Sequence, residues 1–168
     1  MAPTINKFIK LFLLAASAAM GNSKTADLWK VAPIAIGKAN MLMQGDQATI
    51  ISYAGMTFTA MQAAGTLAAE GINVDLIDLR SVSPWDKEMV LSSVNKTGRA
   101  IIVHEAVRQF GVGAEIAATI SEELFGKLKA PVKRLGAPFS PVPFSKPLEN
   151  AFLVQPEDVV AAVKASLK

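Results

Sequence analysis

Ala48-Thr49-Ile50-Ile51-Ser52-Tyr53-Ala54-Gly55 is the stretch that decides the fold, because an apolar, β-branched run ends at a glycine and a different period begins at once. From Thr57 to Glu70 the residues Met61, Ala64, Leu67 and Ala68 recur at helical spacing, and Gly71 supplies the stop. One strand is thus followed by one helix. Toward the carboxyl terminus the same alternation repeats. Asn73-Val74-Asp75-Leu76-Ile77-Asp78-Leu79 reads as a strand closed by Ser83-Pro84. Asp86 then caps a helix to Lys96, with Met89, Val90 and Val94 inward and Gly98 as its stop. Ala100-Ile101-Ile102-Val103 is a third strand, Gly113 to Phe125 a third helix, Val132-Lys133-Arg134-Leu135 a fourth strand and Gln155 to Leu167 a terminal helix. Ala137 to Pro147, which holds four prolines, reads as an extended segment. Apolar strands alternating with helices predict right-handed crossovers and an α/β fold whose mostly parallel sheet is covered on both faces.

Composition narrows the chemistry. With 168 residues the chain is long enough for one domain with its own core. It has no cysteine and one histidine, which excludes a disulfide scaffold, a thiolate nucleophile and a Cys-ligated metal, and leaves little for a histidine cluster. Lys+Arg 17 against Asp+Glu 14 gives a net charge of +3, and the densest basic cluster, Lys127, Lys129, Lys133 and Arg134, is diluted by apolar residues. No nucleic-acid partner is expected from so weak a stripe. The 51% hydrophobic content and mean hydropathy of +0.35 argue instead that much of the domain is covered, in a two-faced sheet or against another protein.

Residues 1–30 read differently from the rest. Lys7 and Lys10 precede the apolar run Leu11 to Met20, with Ala16-Ser17-Ala18 inside it, a pattern of the secretory signal kind that would permit export. Ile5, Phe8, Ile9, Phe12 and Leu13 equally fit one face of an amphipathic helix, or the segment is a scar of a rearranged gene. The run is too short to span a bilayer, for which about twenty apolar residues are needed. The absence of arginine weakens a mitochondrial presequence. The division expected is a leader over 1–30 and one α/β domain over 31–168.

In an open sheet of this kind ligands and partners approach the carboxyl ends of the strands. Three turns are expected there: Tyr53 to Thr57, Arg80 to Asp86, and His104 to Gly113. The last carries the chain's imidazole beside Glu105, with Arg108, Phe110, Gly111 and Gly113 following. His104 could be a base, a channel or interface residue, or a hydrogen-bonded structural histidine. Neighbours at a strand end point to opposite sides, so His104 and Glu105 need not form a dyad. Gly111 and Gly113 fall short of a dinucleotide fingerprint, since Ile116 stands where the third glycine belongs, and close packing of a helix is the better use for them. Arg80 suits a carboxylate or phosphate clamp, yet Asp78 and Asp86 favour an ion pair. Trp85, Phe139 and Phe144 fit either a core or an assembly interface.

Taken together these residues resemble a known family. Gly45-Asp46-Gln47-Ala48-Thr49, Val74 through Asp86, Ser93 through Arg99, His104-Glu105-Ala106, Gly111 through Ile116, Ala130 through Arg134 and Pro141 through Ser145 resemble the carboxyl-terminal domain of the beta subunit of thiamine-diphosphate-dependent 2-oxoacid dehydrogenases. The resemblance runs from Ala32 to Lys168, and Arg134-Leu135-Gly136-Ala137-Pro138-Phe139 looks most like the bacterial pyruvate, acetoin or general 2-oxoacid type. It implies a three-layer α/β/α unit with a mostly parallel five-stranded sheet, as at the end of transketolases. It also implies that thiamine diphosphate and magnesium belong to the complete enzyme, held by an alpha subunit and a pyrimidine-binding domain whose motifs this chain lacks, so that no catalytic residue, cofactor or metal site is expected here. In such relatives the domain makes the two-fold contact between beta subunits, part of the substrate-channel wall, and the docking surface for the acyltransferase core. The resemblance therefore assigns His104, Glu105, Arg108, Phe110, Gly111, Gly113, Glu115 and Arg80 to channel or interface roles. It implies a homodimer that also meets an alpha subunit, in the cytoplasm, or in the mitochondrial matrix of a eukaryote. The alternatives are an inactive stand-alone domain from a truncated gene and, more remotely, a small-molecule binder of the doubly wound kind.

Overall fold

The strand read from Ala48 onward takes the centre of the sheet, where every one of its residues is buried. A computed structural model describes residues 35–168. In it the elements follow in the order β1 (Asn40–Met43), β2 (Ala48–Ser52), α1 (Met56–Ala69), β3 (Val74–Asp78), α2 (Lys87–Thr97), β4 (Ala100–Val107), α3 (Val112–Glu123), β5 (Lys133–Ala137), α4 (Lys146–Phe152) and α5 (Pro156–Leu167). The strands lie in the order β1-β3-β2-β4-β5. β2 is parallel to both neighbours, with Ile50 beside Leu76 on β3 and Ile101 on β4. β5 runs parallel to β4, and β1 closes the other edge antiparallel to β3. The sheet is therefore mixed but mostly parallel.

Alternation along the strands sends side chains to two cores. Ile50, Leu76, Ile101 and Val103 pack with Ala60, Ala64 and Leu67 of α1 and with Val159 and Val163 of α5. Ile51, Ile77 and Ile102 pack on the opposite face with Val90 and Val94 of α2 and Ile116 and Ile120 of α3. Burial of each such valine, leucine or isoleucine contributes about 1.5–3 kcal/mol, and strands covered on both faces gain it from both sides. This is the three-layer α/β/α architecture.

Helix ends follow the punctuation in the sequence. Gly98 closes α2 in the left-handed conformation, φ 75°, and the Asp86 carboxylate accepts the Met89 N–H at its start, 3.2 Å away. Three boundaries differ from the sequence reading. β1 escapes strand patterning because it is a four-residue edge, bulged between Met41 and Met43 and only partly buried. β4 continues to Val107, four residues beyond the apolar run, because Val107 rejoins β5 at Ala137 after a bulge. α4 starts inside the segment expected to be extended: Pro147 occupies its first turn, where a missing N–H costs nothing, so this proline opens a helix. Ala35–Lys168 form one compact unit. The leader expected over residues 1–30 lies outside the described residues.

Candidate functional site

At the carboxyl end of the sheet the chain is bent hard in three places. β2, β3 and β4 are each followed by a non-glycine residue in the left-handed region: Ala54 at φ 52°, Arg80 at φ 61° and Phe110 at φ 57°. Such a backbone costs on the order of 1–3 kcal/mol at each position, and it concentrates where a fold presents a working surface. The three turns singled out in the sequence each contain one of these residues.

His104 sits beneath the third turn and is fully buried, at 0% exposure. Its Nδ1 lies 2.9 Å from the Ala106 carbonyl oxygen. A carbonyl only accepts, so Nδ1 carries the proton and Nε2 is left with a bare lone pair. Nε2 has no hydrogen-bond partner among the described residues. Three glycines explain how an imidazole fits here. A Cβ at Gly113 would lie 2.5 Å from Nε2, one at Gly136 2.8 Å from Cε1, and one at Gly111 3.1 Å from Cε1. Close packing is thus the use of Gly111 and Gly113, as their spacing suggested. Tyr53 stacks on the imidazole at 6.3 Å between ring centroids and 16° between planes. Burial pulls the imidazole below its ordinary value; the Ala106 hydrogen bond opposes this and the Arg134 guanidinium reinforces it.

The remaining candidates divide by position. Glu105 is exposed and turned away from the buried imidazole, so the two form no dyad. Burial and the Glu105 charge hold the Tyr53 hydroxyl above its usual range. Arg80 is ion-paired with Asp78, whose carboxylate also accepts the Arg80 N–H at 3.2 Å, as the nearby aspartates favoured. Arg108 donates its N–H to Ala137 O at 2.9 Å and accepts from the Arg134 guanidinium at 3.0 Å, which ties the loop to β5. Phe110 stands 96% exposed. Glu115 is exposed in the first turn of α3, where a negative charge favours the helix dipole. Gly136 and Tyr53 belong to the His104 site although sequence reasoning did not assign them to it. The glycine in Arg134-Leu135-Gly136, set in an otherwise strand-forming run, was the available signal.

The same end of the sheet is apolar at its surface. Arg99, immediately before β4, donates through Nε to Ser166 O at 2.7 Å, which fixes the end of α5 at the opposite, amino-terminal edge. The stretch between β5 and α5 therefore lies on the carboxyl side. It exposes Phe139, Val142, Phe144 and Leu148, and the turns after β4 and β3 expose Phe110 and Val82. Of the two expected classes of aromatic, Trp85 is half-buried against the α2–α3 core while Phe139 and Phe144 are exposed.

These residues do not fit a magnesium diphosphate. Among the described residues no three His, Asp or Glu side chains gather as a ligand set. The glycines at the start of α3, which could have cradled phosphate, are filled by the His104 ring. No helix of the described residues is long and apolar enough to cross a membrane.

Comparison with known proteins gives a consistent result. Residues 37–159 match the family model described as transketolase, C-terminal domain. The chain is 42% identical over 135 residues to a pyruvate dehydrogenase E1 component subunit beta of Staphylococcus epidermidis, covering 80% of this chain and 41% of the relative. It is 38% identical over 135 residues to an acetoin:2,6-dichlorophenolindophenol oxidoreductase subunit beta of Cupriavidus necator, covering 80% and 40%. Among solved structures, a split gene transketolase described as an inactive beta4 tetramer superposes with a TM-score of 0.70 at 31% identity, over 81% of this chain and 43% of the other. A 2-oxoglutarate:ferredoxin oxidoreductase from Magnetococcus marinus, at TM-score 0.53 and 14% identity over 86% of this chain and 22% of its own, shares the fold. The chain spans about two-fifths of the length of the curated relatives it matches.

Proposed function

The chain belongs to the family of transketolase C-terminal domains, and from that membership we propose that it is the assembly domain of a 2-oxoacid dehydrogenase beta subunit, building subunit contacts and channel wall without supplying reactive groups. The observation that carries this reading is the apolar carboxyl end, where Phe110, in a left-handed turn, and Phe139, Val142, Phe144 and Leu148, between β5 and α5, face solvent. A second copy of the chain, an alpha subunit and an acyltransferase core are the partners this implies. On this reading thiamine diphosphate and magnesium enter only with the rest of such an assembly, and a cytoplasmic location is the one we assign it, supported by the bacterial origin of the relatives.

A second reading is an inactive stand-alone oligomer. It is favoured by the likeness to a split gene transketolase that forms an inactive beta4 tetramer. The two separate on mixing this chain with the amino-terminal part of a matching beta subunit and an alpha subunit, then measuring sedimentation and thiamine-dependent pyruvate oxidation. Association with recovery of turnover supports the assembly domain. Self-association without uptake of either partner leaves the stand-alone oligomer, and a monomer that binds neither overturns both.

A further inference from the structure

His104 is fully buried, and its surroundings are suited to the neutral ring. The Nδ1 proton is held by Ala106 O at 2.9 Å. On the other side of the ring the backbone of Gly113 lies against Nε2, so closely that a Cβ there would be 2.5 Å away. A second proton on Nε2 would point into this backbone, with no acceptor among the described residues to receive it.

The groups bearing charge around the ring do not relieve the problem. Tyr53 stacks from the end of β2, and Glu105, next along β4, is turned outward. Arg134 comes from β5 and repels a cation. Arg108 and Glu115 lie exposed on the loop and at the first turn of α3. The loop spanning Arg108 to Gly113 is braced by the ring through Gly111 and Gly113, and it carries Phe110 in a left-handed conformation. A positive charge on that ring would set an unsatisfied N–H against the strained segment seated on it.

We propose that His104 is a proton-operated latch: as the neutral Nδ1–H tautomer it seats the Arg108–Gly113 loop and the start of α3, and on protonation at Nε2 it releases them together with Phe110. The latch acts within one chain. Its consequence for association, loss of the Phe110 contact in acid, rests on the assembly reading above.

Because the chain has one histidine, every imidazole signal in an isotope-labelled sample of the full chain belongs to His104. The test follows that signal by nitrogen-detected NMR while amide exchange is read at Gln109 to Ala114, at about pH 7.5 and about pH 5. Expected are the Nδ1–H tautomer at the higher pH and a midpoint below that of a free imidazole. Local opening of those amides should rise about tenfold in acid after correction for intrinsic exchange, with Ile50 and Ile101 unaffected. His104→Phe and His104→Asn, which cannot titrate, should each lose the acid response. A midpoint at or above that of free imidazole with unchanged protection, or the same acid response in both variants, overturns the latch. Sedimentation at the two pH values separates the other reading. Acid dissociation absent from the variants ties the latch to assembly, whereas loop opening with pH-independent association keeps the latch and removes Phe110 from the assembly face.

Discussion

Two buried polar side chains, Asp75 and His104, face the same α2–α3 layer of the sheet and are treated in opposite ways. The Asp75 carboxylate, at 0% exposure, accepts from Gly45 N–H at 2.8 Å, Lys96 Nζ at 2.8 Å and the Ser93 hydroxyl, and Ser93 is in turn 2.8 Å from Thr49 Oγ1. Its charge is matched and its lone pairs are filled. His104, equally buried, makes one hydrogen bond and leaves Nε2 bare. Full satisfaction fixes a group in one state, whereas partial satisfaction makes the state conditional on protonation. The difference matches place: Asp75 ties β3 to α2 in the body of the sheet, and His104 sits where the chain turns outward toward partners.

The largest effect should come from breaking the satisfied site. Asp75→Ala leaves the half-exposed Lys96 ammonium to water and the buried Ser93 hydroxyl and the Gly45 N–H without an acceptor, for an expected loss of about 2–4 kcal/mol in urea unfolding. Gly113→Val attacks the other site from its packing side. With a Cβ already 2.5 Å from the imidazole and 3.2 Å from Ile102, overpacking should cost about 1–3 kcal/mol, and it should weaken association as the start of α3 shifts. Unchanged association in Gly113→Val would detach the helix start from the assembly face.

The contrast sharpens with pH. His104 is held below the imidazole value it would have in the unfolded chain, so the unfolded state binds more protons as acid is added. Stability from this group is therefore complete above about pH 6.5 and declines as pH falls through the window below it, down to the folded midpoint. In denaturant titrations wild type should lose stability relative to His104→Phe as pH falls through that window, with a constant difference above it. A constant difference between the two across pH would mean that the ring is held by packing alone.

The sequence carried the body of the fold more plainly than its rim. β2, β3 and the apolar part of β4 are readable because both faces are buried, so that Ile50-Ile51, Leu76-Ile77 and Ile101-Ile102-Val103 place adjacent apolar residues on opposite faces. β1 and the last four residues of β4 are not, since an edge strand and a bulged extension are set by pairing with distant residues such as Asp78 and Ala137. At the site, the use of Gly111 and Gly113 for close packing was legible from their spacing, and so was the separation of His104 from Glu105. That the packed object is the His104 ring was not, because Gly136 and Tyr53 reach it from other strands. Left-handed Ala54, Arg80 and Phe110 left no local trace, as none of them is a residue that favours that conformation.

The smallest expected effect tests that strain directly. Ala54, at φ 52°, has only a methyl group to lose, so Ala54→Gly removes the left-handed penalty while adding the entropy of a more flexible unfolded chain. The two terms oppose each other, and the balance should favour the variant by about 0.5–1 kcal/mol. The same substitution at Ala60, buried inside α1 and helical, has no penalty to relieve and should destabilise by about 1 kcal/mol or more. Opposite signs at the two alanines in thermal unfolding would establish that the turn after β2 is held against its preference by the structure around it. A loss at both would mean that the carboxyl end is no more strained than the helices behind it, leaving the exposure of Phe110 and the other apolar side chains as the one mark of a contact surface there.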